Sequence, residues 1–371
     1  MKVVISGFYG LGNTGDEAIL ESIVDNLRAE LDNPEITVFS LSPIETAKTH
    51  NVKSVYRGWR HENKEKIRAL RKADLLISGG GGLLQDTYPT KIIFGPLPYY
   101  LLIVLLAKLC GTKVMFFSQG IGPVNTKYGK LLMKVFANLA DLITVRDEYS
   151  KELLHKLGVN RPKSIVTSDI VFGFVPKEDR ACLDSLPLSE EDMKRVVSVS
   201  VRPWFGRTEH YSEMADILDR LLEEKDVIPV FVPMEGHHDV KASNLVIEKM
   251  KNKNKVHVLD GNFTPNQYLD FIGRSRLTIG MRLHSLIFAT LKGVPHIGIS
   301  YDKKVESLLK RSGMWDYSFR LEEVDTIKLV NNAKEILDNH NHFSTAVSQN
   351  ANELRSEAIR NVDLLREYFV K

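Results

Sequence analysis

The sequence has few cysteines, no marked excess of charge of either sign, and no long uninterrupted hydrophobic run. Cys110 and Cys182 are the only cysteines among 371 residues, which excludes a disulfide framework and a zinc site built from cysteines. With 50 basic and 47 acidic residues the net charge is +3, so bulk electrostatics cannot drive binding to nucleic acid. Any anion-binding site must therefore be local.

The N-terminus and the most apolar segment argue against secretion and against a membrane span. The chain opens on a strand-like run at 3–6 without a basic leader, so we expect a cytoplasmic protein. Residues 92–107 carry no charge, but a glycine and two prolines interrupt them. The unbroken part, 99–109, falls short of the roughly 20 apolar residues that a spanning helix needs. We interpret 99–109 as a buried helix, with lipid contact as the alternative.

Short β-branched runs alternate with amphipathic helical stretches along most of the chain. Runs without polar alternation are typical of strands covered on both faces, and hence of parallel sheets. The predicted fold class is α/β, with two Rossmann-like doubly wound domains facing a cleft and a C-terminal helix packing across them. The predicted boundaries are 1–175 and 195–340 for the domains, 176–194 for a charged linker, and 341–371 for the C-terminal helix.

A GxGxxG string follows the first predicted strand, at 10–15. It is typical of dinucleotide sites, but the next strand ends without an acidic residue for a ribose. Asp16 and Glu17 also open the helix where a pyrophosphate needs positive potential. A tight turn that lets strand and helix pack is one interpretation. Binding of acceptor hydroxyls by Asn13, Asp16 and Glu17 is the second, and nicotinamide binding is the least favoured.

Four consecutive glycines occupy 79–82, after a buried strand. Because glycines cost chain entropy, the favoured interpretation is that the backbone at Gly80 and Gly81 closely approaches a ligand. Asp86 follows, either as a group that binds or deprotonates a hydroxyl or as a helix cap.

Arg146 stands at the end of another predicted strand. One interpretation is that its guanidinium contacts a ligand at the edge of the sheet. The other is that it forms a solvated ion pair with Asp147 or Glu148, which would contribute little.

The second half of the chain has cations after three predicted strands. They are Arg202, Arg282 and the pair Lys303 and Lys304, and two of these loops lead into helix N-termini with free N–H groups. Since carboxyl ends of parallel strands share one edge of a sheet, we predict an anion site there. His284 is a candidate general acid or base, with a hydrogen-bonded core histidine as the alternative.

The string Gly236 to Asp239 (GHHD) is the one metal-like cluster in the sequence. Adjacent histidines point in different directions, and no partner motif is evident. We interpret it as a polar loop over the cleft and expect neither a metal nor a cofactor.

Taken together, these strings resemble the polysaccharide pyruvyl transferase family, and within it most closely the CsaB enzymes of bacterial cell-wall polymer synthesis. The strings are GNTGDE (12–17), SGGGGLLQD (78–86), SQGIGP (118–123), TVRDE (144–148) and GMRLHS (280–285), and they span nearly the whole chain. The resemblance implies a fold similar to GT-B glycosyltransferases. It also implies transfer of the enolpyruvyl unit of phosphoenolpyruvate to a sugar with release of phosphate.

For CsaB-like members the resemblance implies a 4,6-linked pyruvate ketal on N-acetylmannosamine of a lipid-linked cell-wall polymer precursor, the anchor for S-layer homology domains. The residues expected to act fall into three groups. They are His284, Arg146 and Lys304 as catalytic residues; Arg202, Arg282, Lys303 and Ser285 as donor ligands; and Asn13, Asp16, Glu17, Gly80, Gly81 and Asp86 on the acceptor side.

Two other functions fit the same architecture. A nucleotide-sugar glycosyltransferase would need an acidic residue after a late strand, and Asp302 is near that position. A sugar-binding module without turnover leaves the group of cations unexplained. Because the implied acceptor is lipid-linked, we also expect peripheral contact with the inner face of the membrane. Either residues 99–109 or a basic face with Lys127, Lys130 and Lys134 would make it.

Overall fold

A computed structural model describes residues 1–86, 95–204 and 207–370. The chain divides into two compact units, one comprising Met1–Val175 with Leu354–Lys371 and the other Pro176–Glu353. Residues 176–194, interpreted from the sequence as a linker, lie within the second unit. They contain a short helix and a 3₁₀ turn. The terminal helix runs from His340 to Phe369, so its first part belongs to the second unit and its last part to the first.

The first unit is built on a seven-stranded sheet in which all paired strands are parallel. Its order is β3-β2-β1-β4-β5-β6-β7. The strands are β1 Lys2–Ser6, β2 Glu35–Ser40, β3 Lys53–Tyr56, β4 Leu75–Leu84, β5 Lys113–Ile121, β6 Leu142–Val145 and β7 Lys163–Val166.

The second unit has a six-stranded parallel sheet in the order β10-β9-β8-β11-β12-β13. Its strands are β8 Val196–Ser200, β9 Ile228–Phe231, β10 His257–Val258, β11 Leu277–Gly280, β12 His296–Ser300 and β13 Phe319–Arg320.

Helices connect successive strands, because parallel neighbours need a crossover connection. Those before residue 176 are α1 Thr14–Glu30, α2 Pro43–His50, α3 Asn63–Lys72, α4 Pro96–Leu109, α5 Lys127–Phe136 and α6 Glu148–Lys156. Those that follow are α7 Ala181–Asp184, α8 Glu209–Glu224, α9 Gly236–Lys249, α10 Pro265–Arg274, α11 Leu283–Leu291, α12 Lys303–Arg311, α13 Thr326–Asp338 and α14 His340–Phe369.

Both sheets have the doubly wound order, so the predicted α/β fold class is confirmed. The direction of winding reverses between β1 and β4 in the first sheet and between β8 and β11 in the second. In such sheets, ligands bind outside the carboxyl ends of the strands at this reversal. The loops after β1, β4, β8 and β11 are therefore the positions where the structure can build a site.

Helix α4, the most apolar segment, packs in the core of the first unit. Its residues Tyr100, Leu101, Ile103 and Val104 are buried against β4 and neighbouring elements, which confirms the interpretation of this stretch as a buried helix. The beginning of the uncharged run, 92–94, lies outside the described residues. Within the described ranges, each helix is too short or too polar to cross a bilayer.

The main departure from the predicted elements is the length of β4. Residues 79–84, expected as a loop, continue the strand and pair with β5, with a bulge between Gly81 and Leu84. Glycine permits the positive φ values of +32° at Gly80, directly before this bulge, and of +74° at Gly81, where it begins. Four further elements, α2, β3, β13 and α13, were not predicted from the sequence. The first three are short and carry little hydrophobic periodicity, whereas α13 is a 13-residue helix with a buried apolar face.

Candidate functional site

Close packing requires glycine at two positions on the carboxyl edge of the first sheet, against the end of β2 at Gly10 and against helix α1 at Gly80. A Cβ added at Gly10 would lie 2.2 Å from Ser40 Oγ, and one added at Gly80 would lie 2.4 Å from Ile19 Cγ2. Ile19 is buried in α1, so at Gly80 a helix rather than a ligand approaches the backbone. The expectation of close ligand approach is thus corrected at Gly80.

Two of the three polar residues at the start of α1 stabilise the loop itself. Asn13 Oδ1 accepts hydrogen bonds from the N–H groups of Gly15 and Asp16, at 3.1 and 3.2 Å, and so caps the helix. Glu17 Oε1 accepts one from Gly10 N at 2.8 Å, and burial raises the pKa of this carboxyl above its usual range. Both contacts support the tight-turn interpretation of the GxGxxG string. Asp16 is half-buried, and its Oδ1 lies 3.4 Å from the position of a Cβ at Gly81.

Asp86 organises the turn that precedes α5. Its Oδ1 accepts from Asn125 N at 2.8 Å, and its Oδ2 accepts from Thr126 N and Thr126 Oγ1, both at 2.7 Å. The carboxylate is buried, and three donors hold it in place. The structure therefore gives Asp86 a structural use at this turn, while the N-cap of α5 is Thr126.

Arg146 forms a buried ion pair instead of the solvated one considered from the sequence. Its Nη1 donates to Asp169 Oδ2 at 3.0 Å, and its Nε lies 3.8 Å from Asp147 Oδ2. The Arg146 side chain is 7% exposed and covers Gly120, where an added Cβ would lie 2.5 Å from Nη2. The guanidinium is therefore a fixed part of the first unit, linking the segments after β6 and β7.

A cation that the sequence analysis missed lies at the same edge of the first sheet. Arg57 follows β3, and its Cζ lies 4.9 Å from the ring centre of Phe8 and 5.2 Å from those of Tyr99 and Tyr100. Among the described residues, no carboxylate forms an ion pair with Arg57, and its buried Nη1 has no hydrogen-bond partner. Burial raises the pKa of Tyr99 to about 12 and that of Tyr100 further. The one feature of the sequence that could have pointed to these four residues is that Arg57 directly follows a strand.

In the second unit, the three cation-bearing loops follow strands that are direct neighbours. Gly280 of β11 pairs with Ser200 of β8 on one side and with Gly298 of β12 on the other. Arg202 and Arg282 each stand two residues beyond their strand, so the register brings both loops to the point where the winding reverses.

Tyr301, which the sequence analysis did not single out, connects these cations. Arg202 Nη1 donates to the Tyr301 hydroxyl at 2.8 Å, and the Arg202 Cζ lies 4.7 Å from the centre of the Tyr301 ring. Lys304 Nζ lies 5.8 Å from the same ring centre. In the part of the chain that the structure describes, Arg202 forms no ion pair with a carboxylate. The guanidinium is held by an aromatic ring and keeps its charge uncompensated.

The structure distinguishes the two adjacent lysines. Lys303 turns outward, is 56% exposed, and binds both oxygens of Glu306 at 3.2 and 3.0 Å. Lys304 is 25% exposed and faces Tyr301, with Asp302 Oδ2 3.4 Å from its Nζ. Lys304 is therefore the lysine that shares its surroundings with Arg202. Asp302 itself caps α12 by accepting from Lys304 N at 3.2 Å, so its carboxylate already has a structural use.

Arg282 is a buried arginine with carboxylate partners of its own. Its Nε and Nη2 donate to the two oxygens of Asp239 at 2.9 and 2.6 Å, and Nη2 also lies 2.5 Å from Glu235 Oε2. Burial opposes the charged guanidinium, but Asp239, Glu235 and Tyr301 outweigh it and raise the pKa of Arg282 above its usual value. Asp239 and Glu235 thus balance the positive charge of Arg282, which was expected from the sequence to bind the anionic donor.

The GHHD string is the first turn of α9 and not a loop. Its Asp239 is fully buried and also accepts from the N–H groups of Met234 and Glu235, at 3.1 and 3.0 Å. The rings of His237 and His238 lie against each other, with centres 4.2 Å apart. Over the described ranges, no group of three or more histidine, cysteine or acidic side chains has the geometry to hold a metal ion.

His284 and Ser285 lie in the first turn of α11, directly after Arg282. Ser285 is completely buried, and its Oγ donates to the Arg282 carbonyl oxygen at 2.7 Å. The serine therefore shapes the turn, which corrects its assignment as a donor ligand. His284 is half-buried, and the helix has no side-chain cap at its N-terminus. The first N–H groups of α11 accordingly point toward the same edge of the sheet.

A cavity of about 360 Å³ adjoins the loop after β8. Its walls are mainly apolar, with basic side chains contributed by that loop and by α9. The lining residues include Pro203, Trp204, Arg207, Tyr211, His238 and Lys241.

Comparisons with known proteins agree with this fold and with the motifs. The sequence model of the family described as polysaccharide pyruvyl transferase matches residues 13–303. The amylovoran biosynthesis protein AmsJ of Erwinia amylovora is 23% identical over 404 aligned positions, covering 94% of this chain and 95% of that protein.

Among solved structures, a putative UDP-N-acetylglucosamine 2-epimerase from Listeria monocytogenes superposes with a TM-score of 0.71 at 12% identity, over 99% of this chain and 96% of that one. The UDP-bound MnaA of S. aureus superposes with a TM-score of 0.69, also at 12% identity, over 99% and 97% of the two chains. Both likenesses show the fold, which is two Rossmann-like domains of the GT-B type, as predicted. Because the family's sequence model covers more than half of the residues, this chain belongs to the polysaccharide pyruvyl transferase family.

Proposed function

We propose that this transferase moves the enolpyruvyl unit of phosphoenolpyruvate to a saccharide and closes a pyruvate ketal on it. One observation carries the proposal. In the part of the chain that the structure describes, Arg202 has no carboxylate partner, and both Arg202 and Lys304 lie against Tyr301. Their loops follow β8 and β12, the two strands that flank β11, and α11 begins directly after β11. Phosphoenolpyruvate has a carboxylate and a phosphate on one small frame, so it needs several positive groups close together.

The three kinds of positive group suit the two anionic groups of the donor. A guanidinium presents a planar fork of donors that matches a carboxylate or a phosphate. A lysine supplies a compact charge, and the free N–H groups at the start of α11 add a helix dipole. Arg282 contributes by positioning, because its pairing with Asp239 fixes the start of α11 relative to α9.

In the proposed reaction the methylene carbon of phosphoenolpyruvate is protonated and positive charge develops at the neighbouring carbon. A sugar hydroxyl attacks that carbon and loses its proton, which gives a tetrahedral intermediate. The C–O bond to phosphate then breaks, and a second hydroxyl of the sugar closes the ketal. His284, two residues after Arg282, is the proposed acid and base for these proton transfers.

The proposed acceptor is N-acetylmannosamine in a lipid-linked precursor of a secondary cell-wall polymer, where a 4,6-ketal would anchor S-layer proteins. Two similarities support a saccharide acceptor: the motifs of the chain resemble CsaB enzymes, and AmsJ is named for the biosynthesis of the polysaccharide amylovoran. Action on such an acceptor would take place in the cytoplasm at the inner face of the membrane.

The test is to incubate the protein with phosphoenolpyruvate and the lipid-linked N-acetylmannosamine acceptor and to measure released phosphate and ketal product. A parallel incubation replaces phosphoenolpyruvate with nucleotide sugars. We expect phosphate only in the first incubation. Nucleoside diphosphate released in the second would make the protein a glycosyltransferase, and no product in either would favour a binding module.

The two adjacent lysines provide a matched pair of variants. Lys304→Ala is expected to lower kcat/KM for phosphoenolpyruvate about 100-fold, since it removes a charge-assisted contact to the donor. Lys303→Ala is expected to stay within about threefold, because its ammonium is bound to Glu306 at the surface. Equal effects of the two substitutions would contradict the proposed donor site.

His284→Ala tests the proton transfers separately. We expect kcat to fall at least about 100-fold while the KM for phosphoenolpyruvate changes little, as for the loss of a general acid or base. Near-normal phosphate release by this variant with the saccharide acceptor would remove His284 from the mechanism.

A further inference from the structure

Helix α5 presents large apolar side chains to solvent. Leu131 is 58% exposed and Val135 is 48% exposed, and Tyr128, one turn earlier, is 37% exposed. Three lysines, Lys127, Lys130 and Lys134, are exposed on the same helix, and the helix contains no acidic residue. We refer to these six residues as the α5 surface.

The positions along the helix separate the two kinds of side chain. Successive residues are rotated by about 100° in an α-helix. Lys127, Lys130 and Lys134 therefore form one ridge, and Tyr128, Leu131 and Val135 form the ridge directly beside it. The α5 surface is thus an apolar strip bordered along one side by positive charge.

The opposite face of α5 fixes the orientation of this surface. Leu132 and Met133 are buried in the core of the first unit, and Gly129 packs against Asp86, where an added Cβ would lie 2.7 Å from Oδ2. Asp86 also holds the turn before the helix through Asn125 and Thr126. Because the helix is anchored at its start and along its inner face, it cannot rotate to bury Leu131 or Val135.

We propose that the α5 surface docks the protein on a bilayer that contains anionic phospholipid. A helix lying in the interface buries apolar side chains among the acyl chains, while lysines reach the phosphate groups with their ammonium groups. Each lysine near an anionic surface strengthens such binding by about fivefold. The apolar strip of the α5 surface matches the acyl chains of the bilayer, and the lysine ridge beside it matches the lipid phosphate groups.

A second copy of the chain is a poorer occupant of this surface. Three partly exposed apolar side chains bury much less than the roughly 800 Å² per partner of a stable interface. A twofold contact through the α5 surface would also bring six lysines together without any acidic residue from either helix. Like charges held close in this way oppose association.

Co-sedimentation with vesicles tests the proposal without depending on any catalytic activity. We expect the whole protein to bind vesicles of phosphatidylcholine and phosphatidylglycerol mixed at about 3:1, and to bind pure phosphatidylcholine at least about tenfold more weakly. Lys130→Glu with Lys134→Glu should weaken binding to the mixed vesicles by about 100-fold or more. Leu131→Ser with Val135→Ser should weaken it by about tenfold.

Two control variants change the same chemistry elsewhere on the first unit. Lys64→Glu with Lys72→Glu makes the same change of charge on exposed lysines of α3, and Ile44→Ser removes an apolar residue that is 88% exposed. Both should bind the mixed vesicles as the unchanged protein does. If they reduced binding as much as the α5 variants, or if pure phosphatidylcholine bound equally well, the proposal would be wrong. Sedimentation velocity showing a dimer that Leu131→Ser dissociates would instead assign the surface to a second copy.

Discussion

The two sheets share one strand order, yet their carboxyl edges use polar residues in different ways. At the edge of the first sheet, Asn13, Glu17 and Asp86 bind backbone N–H groups, and Arg146 is buried against Asp169. At the edge of the second sheet, Arg202 and Lys304 remain near the surface beside Tyr301. The first edge uses these polar groups to build its loops. At the second edge Arg282 is paired with Asp239 and Lys304 with Asp302, whereas Arg202 has no carboxylate partner among the described residues.

This difference shows that a position at the end of a strand does not by itself make a residue functional. What separates the two edges is the partner that each charged group finds. The carboxylate of Asp86, which accepts two N–H groups and one hydroxyl, is a structural element. A guanidinium that rests on an aromatic ring keeps its capacity to bind an anion. Arg57 is the exception at the edge of the first sheet, because it too is surrounded by rings and, within the described ranges, has no carboxylate partner.

The largest expected effect comes from breaking the buried ion pair of the first unit. Arg146→Gln should lower the free energy of unfolding by about 4 kcal/mol, because it leaves Asp169 buried without its counter-charge. Urea unfolding measures this loss. Arg195→Gln, which opens exposed pairs with Asp192 and Asp226 in the second unit, should lower the free energy of unfolding far less.

The catalytic role that the sequence analysis assigned to Arg146 makes the opposite prediction. If Arg146→Gln abolished pyruvyl transfer while the unfolding free energy stayed unchanged, the residue would act in catalysis and not through its buried ion pair. That result would break the comparison between the two edges.

A second test lowers the pH. Acid should decrease the free energy of unfolding through the buried His296 of the second unit and increase it through the half-buried Glu17 of the first unit. Burial lowers the pKa of His296 in β12 to about 4, so the folded protein holds this histidine neutral. Between pH 6.5 and 4 the unfolded chain binds the proton first, and the free energy of unfolding falls by about 3 kcal/mol as the pH drops. Measured against pH, the unfolding free energy of His296→Gln should show a flatter slope across this range.

Glu17 in the first unit provides the contrast. Because burial raises the pKa of its carboxyl, the folded state takes up the proton before the unfolded state does, and stability increases as the pH falls toward the unfolded value. Glu17→Gln should remove this increase. A variant with an unchanged pH profile would mean that the carboxylate is not desolvated.

The third test concerns the glycines of the first edge. Gly80→Ala should destabilise the protein by about 3 kcal/mol, since the new methyl group overlaps Ile19 at a φ of +32°. Gly12→Ala is the matched control, because Gly12 has a φ of +71° but no atom within 4 Å of the added Cβ. It should cost about 1 kcal/mol in thermal or urea unfolding. If both variants lost the same amount of unfolding free energy, packing against α1 would not be what requires glycine at position 80.

The smallest expected effect is a change in donor binding at the edge of the second sheet. Tyr301→Phe removes the hydroxyl that Arg202 binds at 2.8 Å but keeps the ring. One hydrogen bond of this kind contributes about 1 kcal/mol, so the KM for phosphoenolpyruvate should rise about fivefold with little change in unfolding. Tyr317→Phe, which removes a hydroxyl bonded to Glu335 elsewhere in the unit, should leave the KM unchanged. A rise for both variants would indicate a general loss of structure.

Much of the fold could be predicted from the sequence, because hydrophobic runs and helical periodicity are local properties. Arg146 was predicted to follow a strand, and β6 does end at Val145. The C-terminal helix was predicted to begin at 341, and α14 begins at His340. Prediction failed where the pattern was weak, as for β3 at Lys53–Tyr56, or where glycine suggested a loop, as for β4. A strand buried between two others tolerates glycines that an isolated segment would not.

The candidate site was predicted less completely than the fold. Arg202, Arg282 and His284 were found because each follows a strand end that hydrophobicity marks. Their partners were missed, since Tyr301 lies 99 residues from Arg202 and Asp239 lies 43 residues from Arg282. No local pattern links residues that far apart.

The amino-acid sequence alone determined the alternation of strands and helices, the two doubly wound sheets, and the positions of the cations after β8, β11 and β12. These follow from short-range periodicity and from the rule that parallel strands end at one edge. Only the tertiary structure decided that Asp239 neutralises Arg282, that Lys304 rather than Lys303 faces Tyr301, and that Leu131 and Val135 are exposed. The physical reason is that the availability of a charge or an apolar side chain depends on its neighbours in space, and packing brings these together from distant parts of the chain.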